Sequence, residues 1–266
     1  MRLLTFSTLA VLKNCKYKTT LLNVKRMISR AVNTSDIDVH KHKGDVNFID
    51  IAPTWSEDIE PELRAAVLKD MQIFPEFITE KEEAAMLAEL EPQLKRMRYE
   101  FDHWDNAIHG YRETERSSWS EVSEAVLARV KQVAFVPGVD EPLPHVHVLD
   151  LAVAGYIKPH VDAVRFCGGV IAGLCLASSA VMRLEHSKRP KLALDALLAR
   201  RSLYLMRGEA RYAFSHAVLG GDESIYRGQK IPRLRRIAVI CRSKPEPRHA
   251  SDNTDPVAYT SDTTHS

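Results

Sequence analysis

Between residues 145 and 242 the chain runs as short apolar segments divided by turn residues, with no stretch there that reads as a helix. Residues 145–151, 168–176, 181–184, 202–206 and 237–241 have the length and the alternating or continuous apolar character of strands. Gly155, Pro159, Gly208, Gly220, Gly221, Gly228 and Pro232 separate them. Strands clustered in this way cannot build a parallel sheet, because each parallel crossover needs a helix or a similarly long connection.

Two helices are expected ahead of the strands. Thr79-Glu80-Lys81-Glu82 is a capping box: the Thr79 hydroxyl can accept from the Glu82 amide, and the Glu82 carboxylate can answer to Thr79. Leu87, Leu90, Leu94 and Met97 follow at helical spacing, with Pro92 set to kink or divide the helix. Ser118-Trp119-Ser120-Glu121 reads as a second box, with Val122, Ala125, Val126, Val130 and Val133 on one side. Helices first and strands after give an α+β class. The arrangement that fits is a double-stranded β-helix, a jelly-roll barrel buttressed by two N-terminal helices.

Charge divides the chain. Residues 1–32 carry seven basic side chains and no acid, which leaves 30 basic against 35 acidic residues in 33–266. The small net charge of +2 is therefore a +7 leader on a −5 body. A basic, acid-free leader rich in Ser, Thr and Leu reads as a mitochondrial transit peptide. The division expected is 1–32 transit peptide, 33–68 linker, 69–243 folded domain and 244–266 disordered tail. The destination expected is the mitochondrial matrix, and the protein is expected to be a monomer. Uncharged runs such as 3–12 and 168–182 are too short to span a bilayer. Four cysteines in 266 residues make no disulfide scaffold; Cys167, Cys175 and Cys241 lack zinc spacing and read as buried thiols.

The chemistry-bearing pattern is His160-Val161-Asp162, then His216, then Arg236 and Arg242. In an extended segment His160 and Asp162 point to one face. With a distant histidine they make a two-histidine, one-carboxylate set, which holds iron(II) and leaves open positions. An H-x-D is a weak signal alone, and a simple His160–Asp162 pair near a turn is equally open. A second one, His103-Trp104-Asp105, precedes the barrel; it reads as structural or substrate-facing, as do His109 and Arg112. On the last strand Arg236, Ala238, Ile240 and Arg242 share a face, with the arginines about 20 Å apart. Such a pair can grip a small dicarboxylate from its two ends, or it can cap an edge strand and face solvent together with Arg233 and Arg235.

From about residue 73 to 243 the chain resembles the AlkB family of iron(II)/2-oxoglutarate dioxygenases. The residues that carry the resemblance include the run 99–105, the run 107–110, Arg112-Glu113-Thr114-Glu115 and Gly155 to Asp162. Residues 202–212 leading to His216, and the R-x5-R strand, complete it. The resemblance implies that His160, Asp162 and His216 bind iron(II), and that Arg236, Arg242 and Tyr204 bind 2-oxoglutarate. It implies no catalytic group beyond the iron centre. Repair members of the family place N-x-Y ahead of the H-x-D; here Leu149-Asp150-Leu151 stands there, which raises the weight on Tyr204.

The implied activity is oxidation of a substrate by dioxygen, coupled to conversion of 2-oxoglutarate to succinate and carbon dioxide. The acidic body favours a protein or other non-nucleotide substrate. Oxidative N-demethylation of mitochondrial RNA is the alternative, resting on a basic surface around Arg233, Arg235 and Arg236. A non-enzymatic interaction protein with a relic site is a third. A mitochondrial subgroup of the family also implies a role in programmed necrosis after alkylation damage and in fatty acid metabolism.

Overall fold

The computed structural model describes residues 44–101 and 107–245. The expected transit peptide, the second H-x-D at His103 and Asp105, and most of the expected tail lie outside the described residues.

The expected linker is partly built into the domain. Strand β1 (Ile49–Ile51) pairs antiparallel with β7 (Ala193–Leu198). Helix α1 (Pro61–Asp70) follows, with proline at its start, where a missing amide hydrogen costs nothing. The folded unit therefore begins before residue 69. The sequence offers one short element at about residues 48–51, where β1 lies, but the weakly amphipathic helix leaves no periodic signal, which is why this stretch reads as a linker.

The two expected helices are present. Helix α2 (Glu80–Leu94) opens on the Thr79 capping box: Glu82 N–H donates to Thr79 Oγ1 at 3.2 Å, and Thr79 N–H donates to Glu82 Oε2 at 2.8 Å. Pro92 sits in the last turn, and the helix stops at Leu94. Helix α3 (Glu121–Ala134) is capped by Ser120 rather than Ser118. Its buried face runs through Ser123, Val126, Leu127, Val130 and Ala134, so Val122 points to solvent, contrary to the expected face.

Ten strands form one antiparallel sheet folded into a barrel. Besides β1 and β7 these are β2 (Met71–Phe74), β3 (Ile108–Arg116), β4 (Val146–His160), β5 (Ile171–Leu176), β6 (Ala180–His186), β8 (Leu203–Met206), β9 (Phe214–Val218) and β12 (Arg236–Arg242). A separate hairpin joins β10 (Ile225–Tyr226) and β11 (Gln229–Lys230). The order is β1-β7-β6-β9-β4-β12-β5-β8-β2, with β3 also on β4. The fifteen residues of β4 make this possible. Its first part, residues 147–151, pairs with β12, and its last part, at Ile157 and His160, pairs with β9. One strand thus belongs to both walls of the jelly roll. A short helix, α4 (Gly208–Tyr212), interrupts the strands between β8 and β9.

Strand β12 shows how the core divides. Ala238 and Ile240 face the barrel interior with Trp55, Ile73, Leu149 and Leu151. Ile237, Val239 and Cys241 face outward, against Met86 and Leu90 of α2 and Val126 and Val130 of α3. Each such buried aliphatic side chain contributes about 1.5–3 kcal/mol. Because the helices cover the outer wall, β12 is apolar on both faces and its two terminal arginines are the exceptions. Cys167, Cys175 and Cys241 are buried free thiols, as expected. Among the described residues no helix is long and apolar enough to cross a membrane.

Candidate metal centre

Strands β4 and β9 bring the two histidines together. His160, the last residue of β4, is the direct register partner of His216 on β9, and their rings lie 4.3 Å apart between centroids. Asp162 enters from the loop just beyond β4. Its Oδ1 lies 3.3 Å from His160 Nε2 and 3.5 Å from His216 Nε2. One donor atom from each of the three residues falls within 4.8 Å of the others. The sequence pattern therefore closes into a single cluster.

Electrostatics suit a cation there. His160 Nδ1 is 2.9 Å from the Lys158 carbonyl. A carbonyl only accepts, so Nδ1 carries the hydrogen and Nε2 presents its lone pair towards Asp162. Burial, with His160 alongside, pushes the His216 imidazole down to about 3, so it is neutral at physiological pH. Burial alone would raise the Asp162 carboxyl. The charge of Arg242, whose Nε donates to Asp162 Oδ2, outweighs it and holds the group well below the usual carboxylate range. Lone-pair donors this close need a positive charge between them, either a proton or a metal ion. Two imidazoles with one carboxylate fit an iron(II) site with open positions.

Arg242 stands at the same end of the barrel. Its Nε donates to Asp162 Oδ2 at 3.1 Å, and its Nη1 lies 2.9 Å from His147 Nδ1. The two arginines of β12 therefore do not act alike: Arg242 holds the metal-side carboxylate. Arg236 lies six residues away, at the other end of the interior face. It is 1% exposed, with Nη2 3.7 Å from Cys175 Sγ and Nε without a partner. Arg233 is also buried; burial, with Arg236 adding, pushes it down to about 10. Among the described residues neither guanidinium pairs with a carboxylate. Two buried cations without an acid are costly unless an anion completes them.

Tyr204, on β8, lies in register with Ile240 of β12 across β5, at a level between Arg236 and Arg242. It is opposite Gly173 of β5, and a Cβ on Gly173 would stand 2.2 Å from its ring. Burial pushes its phenol up to about 12, so it stays a donor. Leu149 and Leu151 line the interior wall where an N-x-Y pair would offer polar groups. The barrel interior along β12 is therefore apolar in its middle, with the buried cation of Arg236 at one end, the Tyr204 phenol beside it and the metal-ligand cluster at the other end.

The basic surface that the RNA alternative calls on does not form at these residues. Arg233 and Arg236 are buried, and Arg235 donates to Asp150 Oδ2 at 2.7 Å and also pairs with Glu91. Arg112 also bonds to Asp150, at 2.7 Å, and stacks over Tyr99. Its role is to neutralise the fully buried Asp150 behind the barrel wall. His109 stacks on Tyr156 at 5.1 Å and meets Phe101 edge-on at 5.4 Å.

Three further residues carry no individual sequence signal. Arg211, fully buried, donates to the carbonyls of Cys167 and Gly168 and so holds the loop that follows Asp162. His147 and Glu113 join the Arg242 end, with His147 Nε2 2.8 Å from Glu113 Oε2. Alternation on β4 does place His147 on the same side as Leu149 and Leu151, which is the only hint of its position.

No profile of a known protein family matches the chain. Two curated relatives match it over most of their length. The alpha-ketoglutarate-dependent dioxygenase alkB homolog 7, mitochondrial, of Bos taurus is 55% identical over 186 residues, 68% of this chain and 84% of the relative. Its Mus musculus counterpart is 50% identical over 192 residues, 72% and 86%. Among solved structures, a Pseudomonas putida prolyl-4-hydroxylase aligns with 69% of this chain and 99% of its own, at a TM-score of 0.49 and 14% identity.

Proposed function

The chain belongs to the mitochondrial alkB homolog 7 family of 2-oxoglutarate-dependent dioxygenases, and on that premise we propose that His160, Asp162 and His216 hold its iron(II) while Arg236, Tyr204 and Arg242 serve its 2-oxoglutarate. The observation that carries this is the convergence of two imidazoles and one carboxylate within 4.8 Å at one end of the barrel interior, with a buried, acid-free arginine at the other end of β12.

Iron(II) with 2-oxoglutarate, when bound, supplies the oxidising power that places one oxygen atom of dioxygen on a substrate and releases succinate and carbon dioxide. The chain's own groups prepare that chemistry. Asp162 stays ionised, and Arg242 occupies its Oδ2, which leaves Oδ1 on the side of the histidines. Arg236 supplies a full positive charge where the distal carboxylate of the cosubstrate would lie, and Tyr204 offers a hydroxyl beside it. Leu149, Leu151 and Ile240 keep water away from both, so each charge interaction is stronger than in water.

For the substrate we favour a protein or other non-nucleotide molecule. The body outside the leader carries a net charge of −5, and the arginines that an RNA-binding patch would use are buried or paired. One feature favours oxidative N-demethylation of mitochondrial RNA instead: the Phe101–His109–Tyr156 aromatic cluster, with Phe101 exposed, offers a ring on which a base can stack. The place of action is the mitochondrion, in keeping with the names of the relatives and the +7 leader, and the proposed compartment is the matrix.

The test is succinate release from 2-oxoglutarate by the purified protein with iron(II) and ascorbate. His160→Ala should abolish it. A wild-type protein that neither binds nor turns over 2-oxoglutarate would overturn the assignment. Stimulation of succinate release by mitochondrial protein extract, or by methylated mitochondrial RNA, separates the two substrates.

A further inference from the structure

We infer that His147 and Glu113 are positioning residues for the metal centre, acting through Arg242; this rests on the site reading above. Three contacts link four side chains from barrel rim to metal ligand: Glu113 Oε2 to His147 Nε2 at 2.8 Å, His147 Nδ1 to Arg242 Nη1 at 2.9 Å, and Arg242 Nε to Asp162 Oδ2 at 3.1 Å. The strand register builds this chain. His147 of β4 pairs with Ile240 of β12 on one side and with Glu115 of β3 on the other. Arg242 and Glu113 each lie two residues further along on the same face.

The hydrogen positions follow from chemistry. A guanidinium has donors only and keeps its proton, so Arg242 Nη1–H must donate and His147 Nδ1 must accept. The remaining ring hydrogen is then on Nε2, and Glu113 is the acceptor that holds it there. The opposite tautomer would set N–H against N–H. Glu113 therefore selects the one form of His147 that can receive Arg242, and His147 fixes a long, otherwise mobile guanidinium in the plane that meets Asp162. Their effect is on the geometry of a metal-ligating carboxylate, the kind of outer-shell support that tunes metal affinity.

The test compares substitutions at His147 by manganese(II) titration and by 2-oxoglutarate binding to the manganese-loaded full chain, with thermal midpoints alongside. His147→Asn puts an amide oxygen near the place of Nδ1 and keeps the acceptor for Arg242. His147→Gln puts its amide near the place of Nε2, and His147→Leu has no acceptor. The expected order is near-wild-type manganese affinity for Asn, and a loss of about 10- to 100-fold for Gln and Leu. Equal affinity in all three, or a loss that follows the thermal midpoint rather than the acceptor, overturns the proposal. Glu113→Ala, at the rim, is the second variant: a several-fold loss supports the tautomer argument and an unchanged affinity overturns it. A wild-type chain that binds no manganese would sink the site reading itself, a result distinct from either.

Discussion

Gly173 lies directly under the ring of Tyr204: a methyl group there would stand 2.2 Å from Cε1 and 2.6 Å from the hydroxyl oxygen. The ring can occupy its place only because β5 carries no side chain at that register position. Gly173→Ala should therefore displace the phenol, weaken 2-oxoglutarate binding at least about tenfold, and cost about 1–3 kcal/mol of stability through overpacking. Manganese affinity should change little, since His160, Asp162 and His216 come from other strands and a loop. Calorimetric titration of both ligands checks this; equal weakening of both would contradict it.

Arg236 predicts a separation of stability from function. It is a fully buried cation with no acid among the described residues and with Arg233 close enough to be repelled. Arg236→Met should stabilise the ligand-free protein by about 1–3 kcal/mol. The same change should remove the rise in unfolding midpoint that 2-oxoglutarate gives the manganese-loaded wild type. Urea unfolding with and without the cosubstrate measures both effects, and a less stable ligand-free variant would count against the unpaired-charge account.

Arg242→Lys tests the guanidinium fork. A lysine ammonium is a point charge that cannot span Asp162 and His147 in one plane as Nε and Nη1 do. Turnover should fall about 100-fold or more although the charge is conserved. Succinate release at saturating 2-oxoglutarate is the measurement, and activity within about threefold of wild type would show that charge alone suffices.

Glu89 predicts a pH-dependent contribution to folding. It ties α2 to the start of α3, accepting from Ser120 N–H at 2.9 Å, Ser120 Oγ at 2.7 Å, Ser123 Oγ at 2.6 Å and Arg116 at 3.0 Å. Burial raises its carboxyl, but these bonds outweigh it and hold the group below its ordinary 4.5. A group depressed on folding stabilises the native state above its unfolded pKa, and that stability is lost as pH falls through the folded one. Glu89→Gln should cost about 1–2 kcal/mol at pH 7, with a smaller difference at pH 3.5. Urea midpoints at the two pH values test the sign.

Much of the site was legible because its signals are local. Arg236, Ala238, Ile240 and Arg242 sit on one face of β12 by simple alternation, and Thr79 caps α2 as its hydroxyl and Glu82 dictate. What could not be read depends on distant partners. Ala193-Leu194-Asp195-Ala196-Leu197-Leu198 has no β-branched or aromatic side chain to mark a strand, yet pairing with β1 and β6 makes it one. Arg235 looks like free surface charge until Asp150 and Glu91, far off in sequence, are seen to neutralise it. The unequal duties of Arg236 and Arg242 follow from which neighbour each meets across the barrel, and the spacing of two arginines on a strand contains no such information.

Strand β4 runs through both walls and ends on His160, with register shifts near Gly110 on the β3 side and between Ile157 and His160 on the β9 side. Strict alternation from the inward-facing Ile157 would send residues 159 and 161 inward; the second shift is what delivers His160 opposite His216. The strand is thus a measured length of chain. Losing or gaining one residue between Leu151 and His160 would turn the imidazole to the other face. Related proteins should accordingly differ here by substitution and not by gaps, and place their insertions and deletions in the loop after Asp162 or in the β10–β11 hairpin.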